Sequence, residues 1–157
     1  VRVYYAESAD GLTTECDQSF HIDAIKRAGG RIVHECVLKT HKGMEKVSLE
    51  QIMLYNPEFI VSNDPEFEKT VYKDPRWKGI KAVAEHKVLT VPRTPFNWID
   101  RPPSFTRLIG LQWLVYHFYP KALGRDMQRE MREFHALFLG IRPSEADIEH
   151  WLARPRR

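Results

Sequence analysis

Apolar and polar positions fall into blocks along this chain, and the blocks have the lengths of strands and helices. Residues 1–6 (VRVYYA) read as a strand rich in Val and Tyr. Residues 7–19 are polar and read as a loop. Ser19 can cap a helix over 20–28, which Gly29-Gly30 stops. Residues 31–38 read as a short strand and 40–46 as a polar loop. Ser48-Leu49-Glu50-Gln51 has the pattern of a capping box and starts a helix with Leu49, Ile52 and Met53 on one face. That face leaves Glu50 on the solvent side. Asn56-Pro57 ends the helix, because the residue before proline is pushed out of the α region. Residues 59–62 form a continuous apolar run, as in a strand covered on both faces.

Two aspartate-proline pairs follow. Asp64-Pro65 and Asp74-Pro75 each place proline at a first helical position. Residues 87–91 read as another strand. A long helix apolar nearly all round is predicted over 104–119, with Pro120 as its stop. Met127, Met131, Phe134 and Phe138 recur at helical spacing and predict an amphipathic helix ending at Gly140. Ser144 and Asp147 cap a last helix with Ile148, Trp151 and Leu152 inward. Strands alternating with helices imply an α/β fold: a three-layer, Rossmann-like arrangement with a mostly parallel central sheet flanked by helices. The 157 residues are one ordinary α/β domain over 1–157.

Composition narrows the function classes. The chain carries 24 basic and 21 acidic residues, a formal net charge of +3. That mild balance argues against a dedicated nucleic-acid binder. The basic run RPRR at 154–157 reads as a solvated terminus. No apolar stretch reaches the ~18 residues of a membrane span. Two cysteines, Cys16 and Cys36, are too few for a disulfide scaffold, although a disulfide between them is open in an oxidising compartment. On paper Cys16, His21, His34 and Cys36 could be assembled into a zinc site, which leaves a zinc-binding α/β enzyme or metallochaperone domain as a rival reading. Their spacing matches no common finger or ribbon. No phosphate loop, nucleophile elbow or paired carboxylates for acid–base work stands out, so no catalytic residue and no cofactor is expected.

In a parallel sheet, ligands meet the loops after the carboxyl ends of the strands. The loop with TPFNWIDRPPSFTRL, residues 94–108, is the better candidate there. Arg101 precedes a predicted helix start, whose unpaired N–H groups would join it in attracting an anion. Phe96 and Trp98 would offer flat apolar surface beside it. The alternative is that both rings cover the sheet end and that Arg101 pairs with Asp100 or a nearby carboxylate.

A resemblance rests on three runs: VSLEQIMLYNPEFIVSND, then DPRWKGIKAVAEHKVLTVP, then PFNWIDRPPSFTRLIGLQWLVYHFYP. With the opening YYAESADGLTT and SFHIDAIKRAGGRIV, they resemble the C-terminal lobe of class III substrate-binding proteins of ABC importers. That class takes up ferric siderophores, haem, cobalamin and related metal compounds; related proteins bind molybdate or tungstate. The resemblance covers about residues 1–120. It implies two lobes with ligand held between them, so that this chain is one lobe and the N-terminal lobe is missing. It implies a non-catalytic, periplasmic or extracytoplasmic protein, lipid-anchored through an upstream segment in some cases. Its implied partners are an ABC permease with its ATPase and a small-molecule metal complex such as a ferric siderophore or haem. It places ligand contacts on Glu7, Ser19, His21, Phe96, Asn97, Trp98 and Arg101, and a permease-docking charge on Glu50.

Overall fold

In a computed structural model, residues 1–37, 43–122 and 126–153 are described. The end of the predicted strand at Leu38, part of the 40–46 loop and the RPRR run lie outside them.

Among the described residues six strands form: β1 (Arg2–Ala6), β2 (Thr13–Thr14), β3 (Arg31–Ile32), β4 (Glu45–Lys46), β5 (Phe59–Ser62) and β6 (Val88–Thr90). Helices α1 (Asp23–Arg27), α2 (Leu49–Tyr55), α3 (Pro65–Val71), α4 (Lys81–Ala84), α5 (Arg107–Phe118), α6 (Met127–Leu139) and α7 (Glu145–Leu152) separate or follow them. The central sheet has the order β3-β1-β5-β6, all parallel, with Tyr4 opposite Ile60 and Val61 opposite Leu89. This is the expected α/β architecture. A small antiparallel pair, β2 with β4, was not anticipated, since each strand is two residues long.

Successive strand residues point to opposite faces, and the sheet has a core on each. Val3, Tyr5, Phe59, Val61 and Leu89 face α1 and α5, behind which α6 and α7 stack through Met131, Phe134, Ile148 and Trp151. Tyr4, Ala6, Ile60 and Val88 face Ile52 of α2, Phe67 and Val71 of α3, Trp77, and Ala82 of α4.

The local signals explain the helix ends. Ser48 Oγ accepts from the Gln51 N–H at 3.2 Å, and Asp64 Oδ1 accepts from the Glu66 N–H at 2.9 Å. Ser144 and Asp147 form a reciprocal capping box. Gly140 ends α6 in the left-handed region, as predicted. Two predicted helices differ. The one over 20–28 is a 3₁₀ turn (Phe20–Ile22) followed by the short α1. The long one begins at Arg107 rather than at 104, because Arg107 and Leu108 donate to the carbonyls of Ser104 and Phe105 in tight turns.

Gly110 decides how α5 seats. A Cβ there would lie 1.9 Å from the Trp98 carbonyl oxygen, so the helix backbone can rest directly on the loop that carries Trp98. This contact positions the candidate site.

Candidate functional site

From β1 the chain moves to one neighbour, β3, and from β5 it moves the other way, to β6. The crevice of an open parallel sheet opens at such a reversal, beyond the carboxyl ends of the strands. Glu7 follows β1 and Asn63 follows β5, both buried. The loop after β6 folds across them. Asn97 donates from Nδ2 to Asn63 Oδ1 at 2.7 Å, while its own Oδ1 accepts from the N–H groups of Ile99 and Asp100, both at 2.8 Å. Thr106 Oγ1 donates to the Asn97 carbonyl at 2.8 Å and Arg107 Nε to the Ile99 carbonyl at 2.6 Å. The loop is thus fastened to a strand end on one side and to α5 on the other.

Arg101 stands at the centre, in the left-handed region at φ 53°, a conformation that costs a non-glycine residue of order 1 kcal/mol or more. Its Nε meets Glu7 Oε1 at 2.8 Å and its Nη2 meets Glu15 Oε1 at 2.6 Å. Glu15 Oε1 also accepts from the Met44 N–H at 3.2 Å. Gly43, at φ 65°, is required beside it, since a Cβ would lie 1.8 Å from Glu15 Oε1.

Asp100 Oδ2 contacts His21 Nδ1 at 2.5 Å, and Asp100 Oδ1 lies 3.6 Å from Arg107 Nη2. Three carboxylates therefore share this region with Arg101, Arg107 and His21. They are layered. The Glu7, Glu15 and Asp100 side chains are at most 1% exposed, whereas Arg101 is 30% and Arg107 27% exposed. The accessible layer is cationic and the carboxylates lie beneath it.

Burial pushes the Glu7 carboxyl up to about 7, and the neighbouring Glu15 charge pushes the same way, against the opposing pull of Arg101. Desolvation likewise drives the Tyr5 phenol far above its ordinary range. At the rim, Phe96 is 47% exposed and sets its ring 6.2 Å from that of Phe105.

No protein-family model matches the chain. Its fold superposes on an ABC transporter solute-binding protein from Sulfurospirillum deleyianum with a TM-score of 0.90, at 44% identity, over 96% of this chain and 46% of that one. The fold is that of one lobe of an ABC-transporter solute-binding protein. The periplasmic protein MolA of Haemophilus influenzae, solved with molybdate bound, matches at TM-score 0.75 and 26% identity over 92% of this chain and 43% of its own. In sequence, MolA is 28% identical over 102 residues, 63% of this chain and 29% of MolA. The vitamin B12 binding protein BtuF of Vibrio cholerae shares the fold at TM-score 0.56 and 16% identity, over 74% of this chain and 43% of its own. The chain spans less than half the length of these relatives. All are named as binding proteins rather than enzymes, in agreement with the expected non-catalytic chain.

Within this lobe the predicted contact residues divide. Glu7, Asn97 and Arg101 come together at the strand ends, and His21 joins them through Asp100. Ser19 caps the turn that carries His21, accepting from the His21 N–H at 3.1 Å, and is buried. Phe96 is on the rim. Trp98 is not. Its ring is 0% exposed and packs on His135 and Trp151, while Nε1 donates to the Thr94 carbonyl at 3.0 Å. The expectation of Trp98 as an open wall is therefore corrected: α6 and α7 cover it.

A second correction concerns the helix start after Arg101. Its N–H groups are already taken by Ser104 and Phe105, so they do not reinforce the arginine. The zinc alternative also falls, because Cys16 and Cys36 are joined in a disulfide and offer no thiolates. Glu50 is exposed on the first turn of α2, where the local N–H group and the Ser48 hydroxyl hold it below the usual carboxylate range.

Sequence reasoning missed Glu15, Asn63 and Arg107. The sequence carried one signal for Asn63, its place directly after the apolar run 59–62. Glu15 sits in a polar stretch with nothing to distinguish it.

A hollow of about 740 Å³ lies elsewhere, between α3, the edge strand β6 and α7. It flanks the sheet edge rather than the carboxyl ends of β1 and β5, and Glu68 on its wall is already engaged by Thr90 Oγ1.

Proposed function

We propose that this chain is the C-terminal lobe of a solute-binding component of an ABC importer, and that its site takes an anionic, metal-containing solute. One observation carries the reading: at the strand-end crevice the accessible groups are the guanidiniums of Arg101 and Arg107, with the carboxylates buried below them. An anion approaching from solvent meets positive charge first. The solute is an oxyanion of the molybdate or tungstate kind. MolA, which shares the fold and part of the sequence, is a molybdate-binding protein. The burial of Trp98 removes much of the aromatic wall that a bulky chelate would use.

A second reading keeps a ferric siderophore or similar chelate, and the exposed rings of Phe96 and Phe105 favour it. Binding would shift a two-lobed protein toward its closed form, with no chemistry performed. The Cys16–Cys36 disulfide suits a periplasmic or other extracytoplasmic place, since such bonds persist in oxidising compartments. Glu50 is the docking charge for a basic permease surface. Exposed Met53 and Leu54, three and four residues on, share its helix face, so Met53 lies on the solvent side with Glu50 rather than inward with Ile52 as its spacing predicted.

Calorimetric titration of the full chain with molybdate tests the ligand. Saturable heat that Arg101→Ala reduces by tenfold or more in affinity supports the oxyanion reading. Heat with a ferric chelate and none with molybdate would transfer support to the second reading. For docking, Glu50→Ala is expected to lower solute uptake in cells while leaving solute affinity unchanged. Undiminished uptake removes that role.

A further inference from the structure

The carboxylates beneath Arg101 have an unusual hydrogen-bond balance. Glu7 and Glu15 each give one oxygen to the guanidinium, yet among the described residues Glu7 Oε2 and Glu15 Oε2 are buried with no hydrogen-bond partner. Asp100 Oδ1 and the Tyr5 hydroxyl are in the same condition nearby. Leaving a buried acceptor unpaired is expensive, and two ionised carboxylates packed on one guanidinium leave a net negative charge in a poorly solvated place. A proton relieves both problems. Glu7 meets the Arg101 guanidinium through Nε and Glu15 meets it through Nη2, so the two carboxyls share one cation and one proton can serve the pair, and burial already favours the neutral acid at Glu7.

The surrounding charges do not cancel this locally. From the loop after β6 come Asp100 and Arg101, from α5 Arg107, from the turn before α1 His21, and from β1 Tyr5. Arg107 and His21 are directed at Asp100 rather than at the glutamate pair, while Asp100 Oδ2 lies 3.6 Å from Arg101 Nε as a third carboxylate on that guanidinium.

An incoming dianion would compete with Glu7 and Glu15 for the same guanidinium. With both glutamates ionised, ligand and carboxylates repel each other. With one protonated, Arg101 has positive charge to give. We propose that Glu15, with Glu7, is an internal competitor for Arg101, so that Glu15 sets the affinity of the site and capture of an anionic solute is coupled to proton uptake by the glutamate pair. Glu15 is a specificity-determining residue in this scheme. It favours anions captured together with a proton and disfavours binding at alkaline pH. The inference rests on the reading of Arg101 as an anion receptor.

The test is calorimetry of the full chain with molybdate, which stays a dianion across the range used. Titrations at about pH 6.5 and about pH 8.5, in buffers of different ionisation enthalpy, count the protons taken up. The expected result is uptake approaching one proton per molybdate at about pH 8.5, less at about pH 6.5 where the pair already holds the proton, and an affinity that falls as pH rises, by up to about tenfold per pH unit. Glu15→Gln, which keeps the shape and an acceptor for Arg101, is expected to bind more tightly at about pH 8.5 and to flatten the pH dependence. Glu7→Gln is the second variant and is expected to act in the same direction. Tight binding at about pH 8.5 with no buffer-dependent heat overturns the coupling while leaving the anion site standing. The absence of molybdate binding at either pH, in wild type and both variants, overturns the anion site and the coupling together.

Discussion

The Asn97 side-chain amide meets Asn63 Oδ1 at 2.7 Å and so ties the loop after β6 to the end of β5. Both groups are buried, and Asn97 Oδ1 accepts from two further backbone N–H groups of the same loop. Removing the side chain strands three polar groups away from water. Asn97→Ala is expected to lower stability by about 2–3 kcal/mol in urea denaturation. It should weaken solute binding in parallel, because Arg101 lies on the loop thus loosened.

Trp98 and Phe96 separate a packing role from a surface one. Trp98→Ala leaves a cavity beneath α6 and α7 and is expected to cost about 3–5 kcal/mol in chemical denaturation. Phe96→Ala, at an exposed ring, is expected to change stability by no more than about 0.5 kcal/mol. Its effect is predicted on solute affinity instead, read by calorimetry.

At Gly110 helix propensity and packing oppose each other. Alanine would favour the helix by about 1 kcal/mol, yet its Cβ would collide with backbone at Trp98, which cannot yield as a side-chain tip can. Packing prevails. Gly110→Ala is expected to lower the thermal midpoint, with a net loss of about 1–3 kcal/mol.

The raised Glu7 carboxyl gives stability a pH dependence of definite sign. Between its ordinary value near 4.5 and about 7, the folded protein binds more protons than the unfolded chain. Stability therefore falls as pH rises through that window, by roughly 3 kcal/mol from this group if it acts alone. Denaturation midpoints measured across the window should show the decline, and Glu7→Gln should reduce it. A midpoint that rises with pH in wild type and is unaltered by the substitution would contradict the assignment.

How much of this was legible in the sequence follows from how local each signal is. Ser48, Asp64 and Ser144 cap helices through residues two or three positions away, so their elements were readable. The run 59–62 became β5 over those same residues. Glu7, Asn97 and Arg101 could be placed near one another by counting which loops follow which strands. Trp98 could not be placed, because its burial depends on α6 and α7 returning over the loop from more than 30 residues further on. Glu15 was invisible for a related reason. Its partner Arg101 is 86 positions away, and nothing in the polar stretch around it reports that pairing.

The most direct measurement is an anomalous-difference map from crystals of the full chain grown with molybdate. A molybdenum peak in contact range of the Arg101 guanidinium, beyond the carboxyl ends of β1 and β5, is the predicted result. A peak in the hollow beside β6, or bound molybdate that makes no contact with this lobe, would contradict the account.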